Sequence, residues 1–269
     1  MNSPHAYIIL GSTGSGRRAV LADLIANGLD ESARPMLLVA EGERPAEEAT
    51  TARLAAMPTL IQATWRLEDG RVAAGAPIPE GATHVFFLVD GRTNPIDQIE
   101  AFHAWLPSAG LEIGRVITVV DCQLASTRPE LQRWYDACVH FSDVVILARR
   151  DGVANKWITD FTHRYRKQHF PCLIELVKKG ELENPVLILE PQARRMSMLF
   201  DAEDTWAVGG DADTVIEDEA DDDEDAGKPS ADAIDDPDLI GGVDPYVERL
   251  AGSGRRAKEI PDIAKILGA

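Results

Sequence analysis

Short apolar runs recur along the first 176 residues, and helical spacing or a turn signal separates each from the next. Tyr7–Leu10, Met36–Ala40 (MLLVA), His84–Val89 (HVFFLV), Val116–Val120 (VITVV), Asp143–Leu147 (DVVIL) and Cys172–Leu176 are apolar nearly throughout, the mark of strands buried on both faces. Arg17–Gly28 carries Val20, Leu21, Leu24 and Ile25 at helical spacing and ends on a glycine stop. Ile96–Leu106, Leu131–Phe141 and Ala154–Gln168 predict further helices, and Glu43–Met57 a polar, alanine-rich helix or loop. The segment TWRLEDGRVA sets Asp69-Gly70 between alternating residues, a hairpin signal. Apolar strands alternating with helices predict an α/β fold, a mostly parallel sheet covered by helices on both faces, with the hairpin as its antiparallel interruption. Pro185–Glu190 (PVLILE) predicts one more strand or a segment packed at an edge.

Charge divides the chain further. Of the net charge of -18, residues 1–200 hold 24 acids against 21 bases, whereas Asp201–Asp238 hold 17 acids against one base, Lys228. Residues 201–243 therefore predict a disordered acidic linker, because they bury too little apolar surface to offset ordering entropy. Its run Glu217–Asp225 (EDEADDDED) reads as a solvated charge run, with a basic partner or loosely held divalent cations as the alternative. Residues 244–269 regain apolar spacing at Tyr246, Leu250, Ile260, Ile263, Ile266 and Leu267, among the bases Arg249, Arg255, Arg256, Lys258 and Lys265. The expected organisation is a domain over 1–200, the linker over 201–243 and a basic amphipathic tail over 244–269. A tail with this spacing could dock back on the domain.

Neither the near-neutral domain nor the acidic linker offers the basic stripe that nucleic-acid binding needs. No apolar run approaches the roughly 20 residues that span a bilayer. The start MNSPHAYIILG has no basic region before an apolar stretch too short for a signal peptide, which reads as a cytoplasmic protein. Cys122, Cys138 and Cys172 are scattered and show no metal or disulfide spacing, and His84, His103, His140, His163 and His169 form no ligand pattern. No metal site is expected. No heptad or apolar surface stripe marks an oligomer.

The chemistry concentrates in IILGSTGSGRRAV, where a strand runs through Gly11, Ser12, Thr13, Gly14, Ser15 and Gly16 into a helix that opens on Arg17 and Arg18. Such a turn gathers backbone N–H groups and a helix dipole around an anion. The phosphate-binding loop wants Gly, four residues, Gly, Lys, then Ser or Thr. The two glycines stand at that distance, but Arg17 replaces the lysine and Arg18 the hydroxyl that would ligate Mg²⁺. A planar guanidinium is a poor stand-in for a compact ammonium wrapped by a loop, and no arginine ligates a cation. Two other readings stand beside this one. The turn could hold no ligand, or GSTGSG could be a dinucleotide loop, with Glu41 after the second strand bonding a ribose hydroxyl.

HVFFLVDGRTNP, VITVVDCQLA and FSDVVILARRDGV resemble, in order, successive signatures of the CobW/HypB/UreG family of P-loop GTPases. Gly91 and Asn94-Pro95 match the family's switch motif, Val119-Val120-Asp121 its Val-Val-Asp, and Ala148-Arg149-Arg150-Asp151 its guanine-reading Asn-Lys-x-Asp. The resemblance covers about residues 6–176 and implies a P-loop fold that binds a nucleotide, GTP by preference. It implies that the amides from Ser12 to Arg18 cradle phosphate, that Arg17 lies against phosphate, and that Arg149 and Asp151 lie near the base. Asp90 and Gly91 would form the switch region. The departures imply weak or no hydrolysis and remove the residues that would make binding depend on Mg²⁺. The switch carboxylate is replaced by Leu88, with Asp90 nearby, and the Cys-x-Cys-Cys metal motif and the CobW carboxy-terminal domain are both absent. The functional expectations are a nucleotide-binding protein with little or no hydrolysis, a pseudo-GTPase that serves as a protein-interaction module through its linker and tail, or a dinucleotide-binding oxidoreductase.

Overall fold

The computed structural model describes residues 3–45, 47–201 and 244–268. In chain order its elements are β1 (His5–Leu10), α1 (Arg17–Gly28), β2 (Pro35–Ala40), α2 (Glu48–Ala55), β3 (Ile61–Glu68), β4 (Arg71–Ala74), β5 (His84–Leu88) and α3 (Pro95–Trp105). They continue with β6 (Glu112–Asp121), α4 (Cys122–Thr127), α5 (Gln132–His140), β7 (Val144–Ala148), α6 (Asn155–Lys167), β8 (Leu173–Leu176), α7 (Pro185–Leu189) and α8 (Ile263–Leu267). The strands make one sheet in the order β4-β3-β2-β5-β1-β6-β7-β8. Every pairing is parallel except β3 with β4, as the hairpin signal required. The hairpin turns at Asp69 (φ 50°) and Gly70 (φ 76°), both left-handed, the geometry that matches strand twist in a two-residue loop.

Alternation along the strands builds two cores. Ala6, Ile8 and Leu10 of β1 face α3, α5 and α6, while Tyr7 and Ile9 face α1 and α7. The first core contains Trp65, Phe87, Phe102, Trp134, Tyr135 and Phe161. The second is built on Leu21, Leu24, Leu37, Phe86, Ile146 and Ile188. No helix among the described residues is long and apolar enough to cross a membrane.

The sheet order bears on the dinucleotide reading. In the doubly wound dinucleotide fold the first two strands are neighbours, so an acid at the end of the second reaches the ribose beside the first glycine turn. Here β5 lies between β1 and β2. Glu41 instead pairs with Arg66 Nη1 at 3.1 Å on the far side of β2. The geometry that the oxidoreductase reading needs is absent.

Within Pro185–Glu190, residues Pro185–Leu189 form the helix α7 and not a strand. Pro185 at its first position supplies a helical φ and lacks a donor the helix start would leave unpaired anyway. The segment is placed by packing: Leu189 Cδ1 lies 2.9 Å from where a Cβ on Gly28 would sit, and the Leu189 carbonyl accepts from the Tyr7 hydroxyl at 2.7 Å. Residues 244–268 pack on the domain, with Tyr246 and Ile263 buried in the first core. The expected linker lies, Asp201 apart, outside the described residues.

Candidate functional site

The loop between β1 and α1 turns on three left-handed glycines, Gly11 (φ 133°), Gly14 (φ 78°) and Gly16 (φ 87°), the last capping α1. Gly11 is further required by space, since a Cβ there would strike the Val119 carbonyl. Thr13 N donates to Gly91 O at 3.1 Å and Ser15 N to Ser12 O at 3.2 Å, while the buried Ser15 hydroxyl has no partner among the described residues.

Arg17 does not point outward. Its side chain, 2 % exposed, passes inside the loop, where Nη1 donates to Val89 O at 2.8 Å and Nη2 to Glu43 Oε2 at 2.6 Å. The Glu43 carboxylate, 5 % exposed, also accepts from Gly91 N at 3.0 Å on Oε2 and from the Thr13 hydroxyl at 3.0 Å on Oε1. A carboxylate from the turn after β2 thus sits on a guanidinium, a hydroxyl and a backbone N–H, the kinds of donor that take an oxyanion. Arg18 turns away from it and donates to Arg44 O at 2.9 Å, fastening the same turn from outside.

Asp90 and Gly91 close the other side. Asp90 N donates to Gln98 Oε1 at 2.8 Å, and its carboxylate accepts from Arg92 N at 3.0 Å. That carboxylate faces Gly42 and Arg92, not the loop. Gly91 is a glycine because of close approach: a Cβ would run into Thr13 N and the Arg17 guanidinium.

Tyr135 supports the loop from α5. Its hydroxyl lies 3.2 Å from Ser12 Oγ and accepts from Asp121 N at 3.2 Å. Burial pushes this phenol well above its ordinary pKa, so it stays protonated. Arg149, in a left-handed conformation at the end of β7, reaches back with Nη1 to Gly14 O at 3.1 Å and pairs through Nε with Asp121 at 3.3 Å. Burial raises the Asp121 carboxyl, with Leu124 N and Arg149 opposing. Asp151 is exposed, its backbone carbonyl accepts from Gln123 Nε2 at 2.7 Å, and its carboxylate has no partner among the described residues.

Gly11 through Arg17, Asp90 and Gly91 are therefore brought together, and Arg149 is tied to them at Gly14. Arg18 lies outside the loop and Asp151 stands apart. Sequence reasoning missed Glu43, Tyr135 and Gln98. Glu43 sits in the polar segment EGERP, where nothing distinguishes a buried carboxylate from a solvated one. Tyr135 and Gln98 lay on expected helices, but only the packed sheet aims them at the loop. Among the described residues no group of three or more His, Cys, Asp or Glu could hold a metal ion. The residues also do not fit Mg²⁺ at the loop, because Arg18 replaces the hydroxyl and Asp90 is committed to Arg92.

A glycine loop between β1 and α1, with β5 directly beside β1 in a parallel sheet, sets the architecture. The fold is P-loop-like. No family model matches the sequence, and no curated protein matches it. Among solved structures the chain is similar to the Zn(II)-bound YjiA GTPase from E. coli, at 14% identity over 72% of this chain and 67% of that one, TM-score 0.40. A Zn(II)-bound triple mutant of the YjiA GTPase gives 16% identity over 72% and 67%, TM-score 0.43. The cell division protein ftsY from Thermotoga maritima gives 16% over 70% and 68%, TM-score 0.44. At scores this low these likenesses decide nothing by themselves, and the fold is read from the chain's own sheet order and loop.

Proposed function

We propose that this protein is a pseudo-GTPase resembling the CobW/HypB/UreG type, a P-loop scaffold that has exchanged hydrolysis for protein interaction. One observation carries the reading. The Glu43 carboxylate occupies the Arg17 guanidinium, the Thr13 hydroxyl and the Gly91 N–H, three donors of the kind that would otherwise take a phosphate. Phosphoryl transfer depends almost wholly on positioning and charge neutralisation, and here the lysine, the metal-binding hydroxyl and a loop-facing switch carboxylate are all missing. A cytoplasmic partner engaged through the linker and tail belongs to the same proposal.

The test is calorimetric titration of the full chain with GTP, GDP, ATP and NAD, each with and without Mg²⁺. No binding below millimolar concentration is expected. A second reading, guanine nucleotide binding without hydrolysis, is favoured by the exposed carboxylate of Asp151, without a partner among the described residues, and by the bracing of Gly14 by Arg149. Micromolar GTP binding that ignores Mg²⁺ and is lost on Asp151→Ala would establish that reading and overturn the first. NAD binding alone would reinstate the dinucleotide reading.

A further inference from the structure

Residues 244–268 form a strap across the face of the sheet that carries α3 and α5. On α5, Tyr246 packs 5.0 Å from the ring of His140 and 6.1 Å from that of Phe141. Asp244 binds His140 Nε2 at 3.0 Å and also accepts from the Ser197 hydroxyl. On α3, Arg256 Nη2 donates to Asp97 at 2.8 Å and to Glu100 at 2.5 Å, and Arg249 Nη2 donates to Glu100 at 3.1 Å. The Arg256 side chain is 9% exposed, so this ion pair is shielded in part from solvent.

Both gripped helices send a side chain to the site, α3 to the Asp90–Gly91 turn and α5 to the glycine loop. From α3, Gln98 holds Asp90 through both its amide oxygen and its amide nitrogen, and also donates to Thr93 Oγ1. That fixes the turn whose Gly91 bonds Thr13 and Glu43. From α5, Tyr135 holds Ser12 and Asp121. Asp97 and Glu100 flank Gln98 on α3, and His140 shares α5 with Tyr135, so each grip and its site contact lie on one helix.

We propose that the strap is a conformational clamp: docked on α3 and α5, it holds the Gly91 turn against Thr13 and braces Ser12, and so keeps Glu43 seated on Arg17. Detaching the strap frees α3 and α5 to shift, and the carboxylate leaves its seat. The proposal rests on the reading of Glu43 as occupant of donors that would otherwise take a phosphate, but it concerns the coupling and not the ligand.

The test is amide hydrogen exchange on the full chain. Arg249→Glu combined with Arg256→Glu sets like charges against Asp97 and Glu100 and releases the strap from α3. Arg255→Glu is the control, because Arg255 pairs with Glu259 inside the strap. The amides of Thr13, Gly91 and Asp121 are expected to exchange about tenfold faster or more in the release variant, the mark of a lowered local opening energy, and to be unchanged in the control. Should the strap amides of Leu250, Ala257 and Lys258 remain protected, Tyr246→Ala is added to detach it from α5 as well. Free exchange along the strap with unaltered rates at Thr13, Gly91 and Asp121 overturns the proposal. Nucleotide binding by the wild-type chain would sink the pseudo-GTPase reading while leaving this comparison standing.

Discussion

Glu43→Ala tests the closed loop most directly. Arg17 and Glu43 are 2% and 5% exposed at the side chain, so removing the carboxylate leaves a guanidinium in a poorly solvated place with, among the described residues, the Val89 carbonyl as its remaining hydrogen-bond acceptor. Breaking a buried ion pair from one side costs about 3–5 kcal/mol, because the desolvation of the remaining charge is no longer offset. Thr13 and Gly91 also lose their acceptor, although the exposed neighbours Glu41 and Gly42 let water reach the vacated edge and limit that loss. At about 2–4 °C per kcal/mol for a chain of this size, the melting temperature should fall by about 6–20 °C. Urea unfolding followed by circular dichroism gives the free energy, with an unchanged slope showing that only stability moved. Arg17→Met in the same background removes the orphaned charge and should recover more than half of the loss. Added sulfate or phosphate should stabilise Glu43→Ala and not the wild type, by about 2.7 kcal/mol at a hundredfold excess over its dissociation constant. A cost below about 1 kcal/mol for Glu43→Ala, or singles that simply add in the double variant, would refute the claim that this pair closes the loop.

Three further outcomes follow from the same geometry. The hydrogen bonds from His140 and Ser197 hold the Asp244 carboxyl below the usual range even though burial, the largest influence, works the other way. A depressed folded pKa gives stability that is complete above about pH 4, the ordinary aspartate value, and is lost as pH falls through the folded value. Strap amides should therefore lose exchange protection in acid, and Asp244→Asn should flatten that dependence. Tyr135→Phe removes a buried hydroxyl shared by Ser12 and Asp121, and chemical denaturation should register a loss of about 1–3 kcal/mol. Gly28→Val forces a side chain against Leu189 and Pro185, so thermal unfolding should show about 1–3 kcal/mol of overpacking.

The order of elements could be read from local spacing alone. Val20, Leu21, Leu24 and Ile25 define α1 because a helix repeats every 3.6 residues whatever surrounds it, and α1 spans Arg17–Gly28 as expected. Asp69-Gly70 defines the hairpin because the left-handed turn it needs is a property of those two residues. The unbroken runs HVFFLV and VITVV required burial on both faces, hence a parallel sheet between two layers of helices. The spacing of Gly11, Gly14 and Gly16 marked the loop for the same reason, since left-handed backbone is written in the residue itself.

What local spacing does not contain is which distant groups meet. PVLILE fits a strand or a short helix equally well, and packing against Gly28 and Tyr7 made it α7. The insertion of β5 between β1 and β2 carried Glu41 away from the loop, and only assembly of the whole sheet sets that order. The strap's arginines find Asp97 and Glu100 more than 140 residues upstream, a pairing no periodicity announces. Glu43 is the sharpest case. Its neighbours in the chain are polar and solvated, yet the folded sheet delivers its carboxylate to Arg17, Thr13 and Gly91. A charge is buried where the whole fold supplies partners for it, so the sequence determined the scaffold and the tertiary structure decided which carboxylate meets Arg17 at its glycine loop.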